Sequence, residues 1–132
     1  MAVARPKHLV LILAREFVAN LATPTAITDE RGCLIYFNEA AEEVFGKGFS
    51  EVGEIPYEEW TSRFSPRDVE TDEPLPLERR PTGIALHERR AAHEQVRVTS
   101  LDGMARENAV TAFPLFAHTD ELVGTVTIFW RE

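Results

Sequence analysis

Two glycine-closed turns, Asp29-Glu30-Arg31-Gly32 and Asp102-Gly103, each join β-prone segments, and they commit both ends of this chain to antiparallel pairing. The glycine of an acidic turn supplies a positive φ that other residues avoid, and Asp-Gly is the strongest short-range hairpin signal. Around the first turn, Thr25, Ala26, Ile27 and Thr28 predict one strand and residues 33 to 37 its partner. Around the second, residues 93 to 101 and 106 to 116 predict another pair, with Val96 and Val98 alternating with Arg97 and Thr99. After a polar link at 117 to 121, residues 122 to 130 are rich in Val, Thr, Ile, Phe and Trp and predict a last strand.

Between the hairpins the chain is short of long periodic segments. Asn38 is placed to cap a helix, Glu39 follows in the first turn where the dipole favours a negative charge, and Ala40, Ala41, Val44 and Phe45 give helical spacing before Gly46. Prolines are frequent from 47 to 76, where only residues 57 to 64 predict a helix, with Trp60 and Phe64 at i, i+4. Pro81 opens a further helix running to about residue 90, since its missing N–H is one that the first turn leaves unpaired in any case. Two hairpins separated by a helical insert predict an α+β fold: one five-stranded antiparallel sheet with short helices on one face.

The N-terminal segment reads differently. Leu9, Leu13, Phe17 and Leu21 recur at i, i+4 with Val10, Ile12 and Val18 alongside, an amphipathic helix whose apolar stripe needs cover. Basic residues precede the apolar run at 9 to 13, but Arg15 and Glu16 end it short of a signal-peptide core or of the roughly 20 residues that span a bilayer. We therefore expect no membrane association, with residues 1–22 as the helix and 23–132 as one domain. With 14 Lys and Arg against 22 Asp and Glu, the chain carries no counterion-release term for nucleic acid, so that partner is not expected. Cys33 is the sole cysteine and cannot form an internal disulfide, which suits a reducing, cytoplasmic setting.

The run from Ile27 through Asn38 to Ala41, a strand, an acidic-glycine turn, a second strand, then Asn and a small-residue helix ending in Phe45-Gly46, resembles the opening of PAS domains. The proline-containing stretch from Asp72 to Leu77 with the helix from Pro81 is similar to that of many bacterial PAS sensors. So are Leu101-Asp102-Gly103, Phe113-Pro114-Leu115 and Val123-Gly124-Thr125-Val126 in the last three strands. The resemblance implies a sheet cupped by short helices around a small cavity, used for sensing or dimerisation ahead of a kinase, phosphatase or transcription regulator.

Period-two alternation then sorts strand residues into faces. The resemblance points the glycine face of the last strand inward, placing Gly124, Val126, Ile128 and Trp130 in the cavity and leaving Phe129, with Phe113 and Ala109, to be covered by the N-terminal helix. On the neighbouring strands the inward sets are Asn108, Val110 and Ala112, and Val96, Val98 and Ser100. Phe45, Trp60, Phe64 and Ile84 supply the opposite wall. The expected ligand-contacting residues are therefore Phe45, Trp60, Phe64, Ile84, Val98, Asn108, Val110, Ala112, Val126 and Ile128. Asn108 is the odd member: a lone amide on an apolar wall bonds a ligand, the backbone or a trapped water.

Cofactor chemistry has little footing. Flavin photosensors of this family use a cysteine in an Asn-Cys-Arg-Phe-Leu type motif after the first helices, whereas Cys33 follows the hairpin glycine. Haem-binding relatives use a histidine on the helix that here holds His87, but Glu88, Arg89 and Arg90 make its surroundings charged rather than the dry wall a haem needs. His8, His93 and His118 stand singly, without metal-ligand spacing. No nucleophile elbow, phosphate-binding loop or zinc-protease helix is present, and the acidic run at 68 to 73 reads as a solvated face. The sequence thus predicts a non-enzymatic sensor that binds a small ligand, forms a homodimer through the N-terminal helix and signals to an effector. The alternatives are a ligand-free dimerisation module and, from another class, a small α+β barrel enzyme with a converging His and Asp.

Overall fold

The computed structural model describes residues 9–99, 103–118 and 120–131. Helix α1 (Leu9–Ala19) leads into the hairpin β1 (Thr25–Asp29) and β2 (Leu34–Phe37). Three short helices follow, α2 (Glu42–Phe45), α3 (Phe49–Val52) and α4 (Tyr57–Arg63), then a three-residue strand β3 (Pro66–Asp68) and helix α5 (Pro81–His87). Strands β4 (Ala92–Thr99), β5 (Ala105–Ala117) and β6 (Glu121–Arg131) complete the chain. All pairings are antiparallel, in the order β2-β1-β6-β5-β4-β3. The two hairpins predicted from the sequence meet where β1 lies against β6, with Ile27 opposite Val126.

The sheet has six strands rather than the expected five. The addition, β3, pairs with β4 at the sheet edge, where a proline is tolerated because its missing N–H faces no partner strand. Of the second turn, Asp102 and the neighbouring Ser100 and Leu101 lie outside the described residues.

Each sheet face carries its own apolar cluster. On the face toward α2 to α5, Phe37, Phe45, Phe64, Leu75, Val96, Val98, Val110 and Phe129 are buried together. On the other, Leu11 and Val18 of α1 cover Ile27, Ile35, Val123 and Val126, with Phe113 and Ile128 packed alongside. The inward assignment of Val126, Ile128 and Gly124 is therefore corrected: they face α1, and Thr125, Thr127 and Phe129 face the short helices. Register explains the inversion. Directly opposed residues share a face, and β6 sets Phe129 against Val110 and Val126 against Phe113. Alternation alone could not choose, because both faces of β6 are buried, and its inward threonines are satisfied by the pairs Thr28–Thr125 and Thr82–Thr127, each 2.7 Å between hydroxyl oxygens.

Helix α1 does cover the outer face, but not with the stripe read from the sequence. Leu11 and Val18 turn to the sheet with Ala14, whereas Leu9 and Leu13 lie roughly half a turn away. Leu13 is 59% exposed and Phe17 69%. The Arg15 guanidinium adds a cation–π contact 4.5 Å from the Tyr36 ring centroid, tying α1 to β2.

Candidate functional site

The short helices do not fill the concave face completely, and a cavity of about 60 Å³ remains between them and the sheet. Its floor is Val96 and Val98 of β4, Val110 of β5, and Thr127 and Phe129 of β6. Val44 and Phe45 of α2, Trp60 and Phe64 at α4, Pro66, and Pro81 with Thr82 at the start of α5 form the rest. Phe45 is the pivot of this wall, in edge contacts with Phe64 and Phe129 at 4.7 and 5.6 Å between ring centroids and tilted on Phe37 at 4.4 Å.

Local chemistry places each of these groups. Trp60 is fixed by donating its indole N–H to the carbonyl of Gly32 at 2.7 Å, joining α4 to the first hairpin turn. Gly32 has φ +84°, and a Cβ there would lie 2.6 Å from Tyr57 Cδ1, so glycine is demanded twice over. Pro81 opens α5, every residue of which from Pro81 to Leu86 is buried. The acidic segment after β3 is solvent-exposed, as expected, and carries surface ion pairs: Arg79 bridges Asp68 and Glu94, and Arg97 bridges Asp72 and Glu107. A hydrogen bond from Arg79 holds the Asp68 carboxyl below its ordinary pKa, and one from Arg97 does the same for Asp72.

Of the residues expected at the site, Phe45, Trp60, Phe64, Val98 and Val110 line the cavity. Ala112 is on the inward face but fully covered. Ile84 is buried in α5 and borders a separate groove with Tyr57, Leu77 and His87. Val126 and Ile128 lie across the sheet, as described above. Sequence reading missed Val44, Pro66, Pro81, Thr82, Thr127 and Phe129 as lining residues. The β5–β6 register carried the signal for the last two, since fixing Val110 inward fixes Phe129 with it.

Asn108 sits on the inward face of β5, two residues from Val110 and directly opposite Val96, and is 4% exposed. Its Nδ2 has no hydrogen-bond partner among the described residues. A buried donor left this way costs about 1 to 3 kcal/mol. Cys33 packs into the cluster beneath α1, across the sheet from the cavity. The cavity lining holds no histidine, and His87 lies outside it, edge-on to Tyr57 at 6.1 Å between ring centroids. The donor set around the cavity therefore does not fit a haem.

A second feature connects cavity and helix. Asn38, 1% exposed, accepts hydrogen bonds at Oδ1 from the backbone N–H groups of Thr25 and Ala41 and donates through Nδ2 to the carbonyls of Val18, Leu21 and Thr23. One side chain thus joins the end of α1, the start of β1 and the turn that leads into Val44 and Phe45.

Among known structures, the PAS domain of Bordetella pertussis BvgS is similar at 17% identity, TM-score 0.60, over 92% of this chain and 84% of that one. A Rhodobacter sphaeroides LOV protein is similar at 12% identity and TM-score 0.70, over 93% and 67%. The PAS domain of nitrogen regulation protein NR(II) from Vibrio parahaemolyticus is similar at 17% identity and TM-score 0.57, over 91% and 98%. No curated protein matches the chain. These likenesses concern the fold, a sheet cupping short helices around a small core, and the sequence itself agrees. The family model of the PAS fold matches residues 13–129, from within α1 into the last strand, and this chain belongs to the PAS family.

Proposed function

We propose that this domain is a non-catalytic sensory module that binds a small ligand in its core and relays occupancy through α1 to an effector such as a kinase, phosphatase or transcription regulator. The observation that carries this reading is the cavity itself, an apolar space whose wall on α2 is linked through Asn38 to α1. A ligand that wedges Val44 and Phe45 acts on the element that holds three backbone groups at and after the end of α1. PAS neighbours that include a two-component sensor histidine kinase support the effector class.

A thermal-shift panel of dissolved gases and small metabolites tests the reading. A compound at one hundred times its dissociation constant stabilises the folded state by about 2.7 kcal/mol. Asn108→Leu removes the unpaired buried donor next to the cavity and is expected to raise the ligand-free stability by about 1 kcal/mol. If no compound shifts the melting temperature, the sensory reading fails.

The exposed face of α1 favours a second reading, homodimerisation, alone or alongside sensing. Leu9, Ile12, Leu13 and Phe17 form an apolar surface that the domain itself leaves uncovered, and a second copy brings an identical surface across a two-fold axis. Leu13→Glu with Phe17→Glu is expected to give a folded monomer by analytical ultracentrifugation, because neither side chain supports the fold, with the melting temperature lowered only by the stabilisation that dimerisation supplied. A double variant that keeps the wild-type mass excludes α1 as the interface. No helix among the described residues is long and apolar enough to cross a membrane.

A further inference from the structure

The dimensions of the cavity narrow what it accepts; this inference rests on the ligand-binding reading above. Its 60 Å³ is less than half of the about 150 Å³ in which a protein interior holds benzene, so by proportion it takes about two or three heavy atoms. A flavin or haem macrocycle is many times larger. The surroundings offer no charge. Val96, Val98, Val110 and Phe129 present only hydrocarbon, and the hydroxyls of Thr82 and Thr127 are engaged with each other at 2.7 Å. A water placed there lacks the two to four polar partners that hold buried water. Enlarging the space is opposed by Phe45, wedged among Phe37, Phe64 and Phe129.

We propose that the cavity binds an apolar molecule of about two or three heavy atoms, a dissolved gas or a short hydrocarbon, in direct contact with these side chains and with no prosthetic group between. Size and an almost wholly apolar lining, with only the paired hydroxyls of Thr82 and Thr127, select the ligand, and larger or charged metabolites are excluded by the same walls.

The experiment is methyl NMR of the purified chain under xenon pressure, with benzene and flavin mononucleotide as larger probes. Xenon is expected to shift the methyl resonances of Val44, Val96, Val98 and Val110 saturably and to leave Val123 and Val126, on the α1 side, in place. Val98→Ile, one methylene larger, is expected to cut the xenon-induced shifts at least twofold in a protein whose spectrum shows it folded. Benzene and the flavin are expected to leave the same methyls unmoved. Xenon shifts that are absent, or that persist in full in Val98→Ile, overturn the proposal. Saturable shifts with benzene or the flavin overturn the size limit while leaving the sensory reading standing. The same holds if xenon is silent and a larger compound raises the melting temperature. Silence from xenon and from the whole thermal panel removes both.

Discussion

Asn38→Ala is expected to lower the stability of the domain by about 3 kcal/mol, or roughly 10 °C in Tm. The expectation comes from counting partners. The Asn38 amide oxygen serves two buried N–H groups, on Thr25 at 3.1 Å and Ala41 at 3.0 Å, and its NH₂ serves the carbonyls of Val18, Leu21 and Thr23 at 3.1, 3.3 and 2.9 Å. Alanine leaves the buried Thr25 N–H without that acceptor in a site 1% exposed, which costs about 1 to 3 kcal/mol, while the Ala41 N–H keeps its 3.0 Å bond to the Asn38 backbone carbonyl. Part of the loss is ordinary helix capping, worth about 1 kcal/mol, because Ala41 begins the turn into α2. Asn38→Asp separates the two halves: it keeps the acceptor contacts and sets an anionic oxygen against three carbonyls, so it too is expected to be strongly destabilised. Urea midpoints at constant m-value measure both variants. Hydrogen exchange in the Ala variant is expected to quicken first in α1 and around Thr25, before the β4 and β5 core. A midpoint within 0.5 kcal/mol of wild type, or exchange that quickens uniformly, would show that Asn38 is not the joint described here.

Gly124→Ala is expected to be at least as damaging. A Cβ at this position would overlap the carbonyl oxygen of Thr28 and lie 2.8 Å from Leu11 Cδ2. Thr28 belongs to β1, which pairs with β6 next to this point, so the obstructing atom is backbone held in a ladder and cannot rotate away. Separating β1 from β6 breaks the seam between the two hairpins and lifts α1 from the sheet, a cost of about 3 kcal/mol or more. The double variant Leu11→Ala, Gly124→Ala distinguishes the two obstructions. If the carbonyl dominates, trimming Leu11 recovers nothing and adds its own cavity cost of about 2 to 3 kcal/mol. Far-UV circular dichroism and urea midpoints report the outcome. A Gly124→Ala protein within 1 kcal/mol of wild type would refute the close approach.

Much of the fold was legible because its signals are local. Thr25 to Thr28, Gly32 and the Val96, Val98 alternation each reflect φ, ψ or pleat preferences confined to a few residues, and the strands stand where those preferences put them. Asn38 was legible as a cap, and is one. Its three bonds toward Val18, Leu21 and Thr23 were not, because they bridge chain positions whose meeting depends on α1 docking. Strand β3 escaped notice for a similar reason: three residues beginning with proline have no strand propensity of their own, and Val96 to Val98 supply the partner. The pairing of Asp68 and Asp72 with Arg79 and Arg97 likewise joins charges that the sequence shows only as an acidic run.

The sequence by itself determined the family, the order of every strand but β3 and the antiparallel pairing, since turn glycines, β-branched runs and caps act over distances shorter than one element. Only the tertiary structure decided which face of β6 meets the cavity and which side of α1 meets the sheet. Both surfaces of β6 are buried and α1 is apolar nearly all round, so burial alone has no preference between the two choices. Cross-strand register and the close approach of Leu11 to Gly124 break the tie.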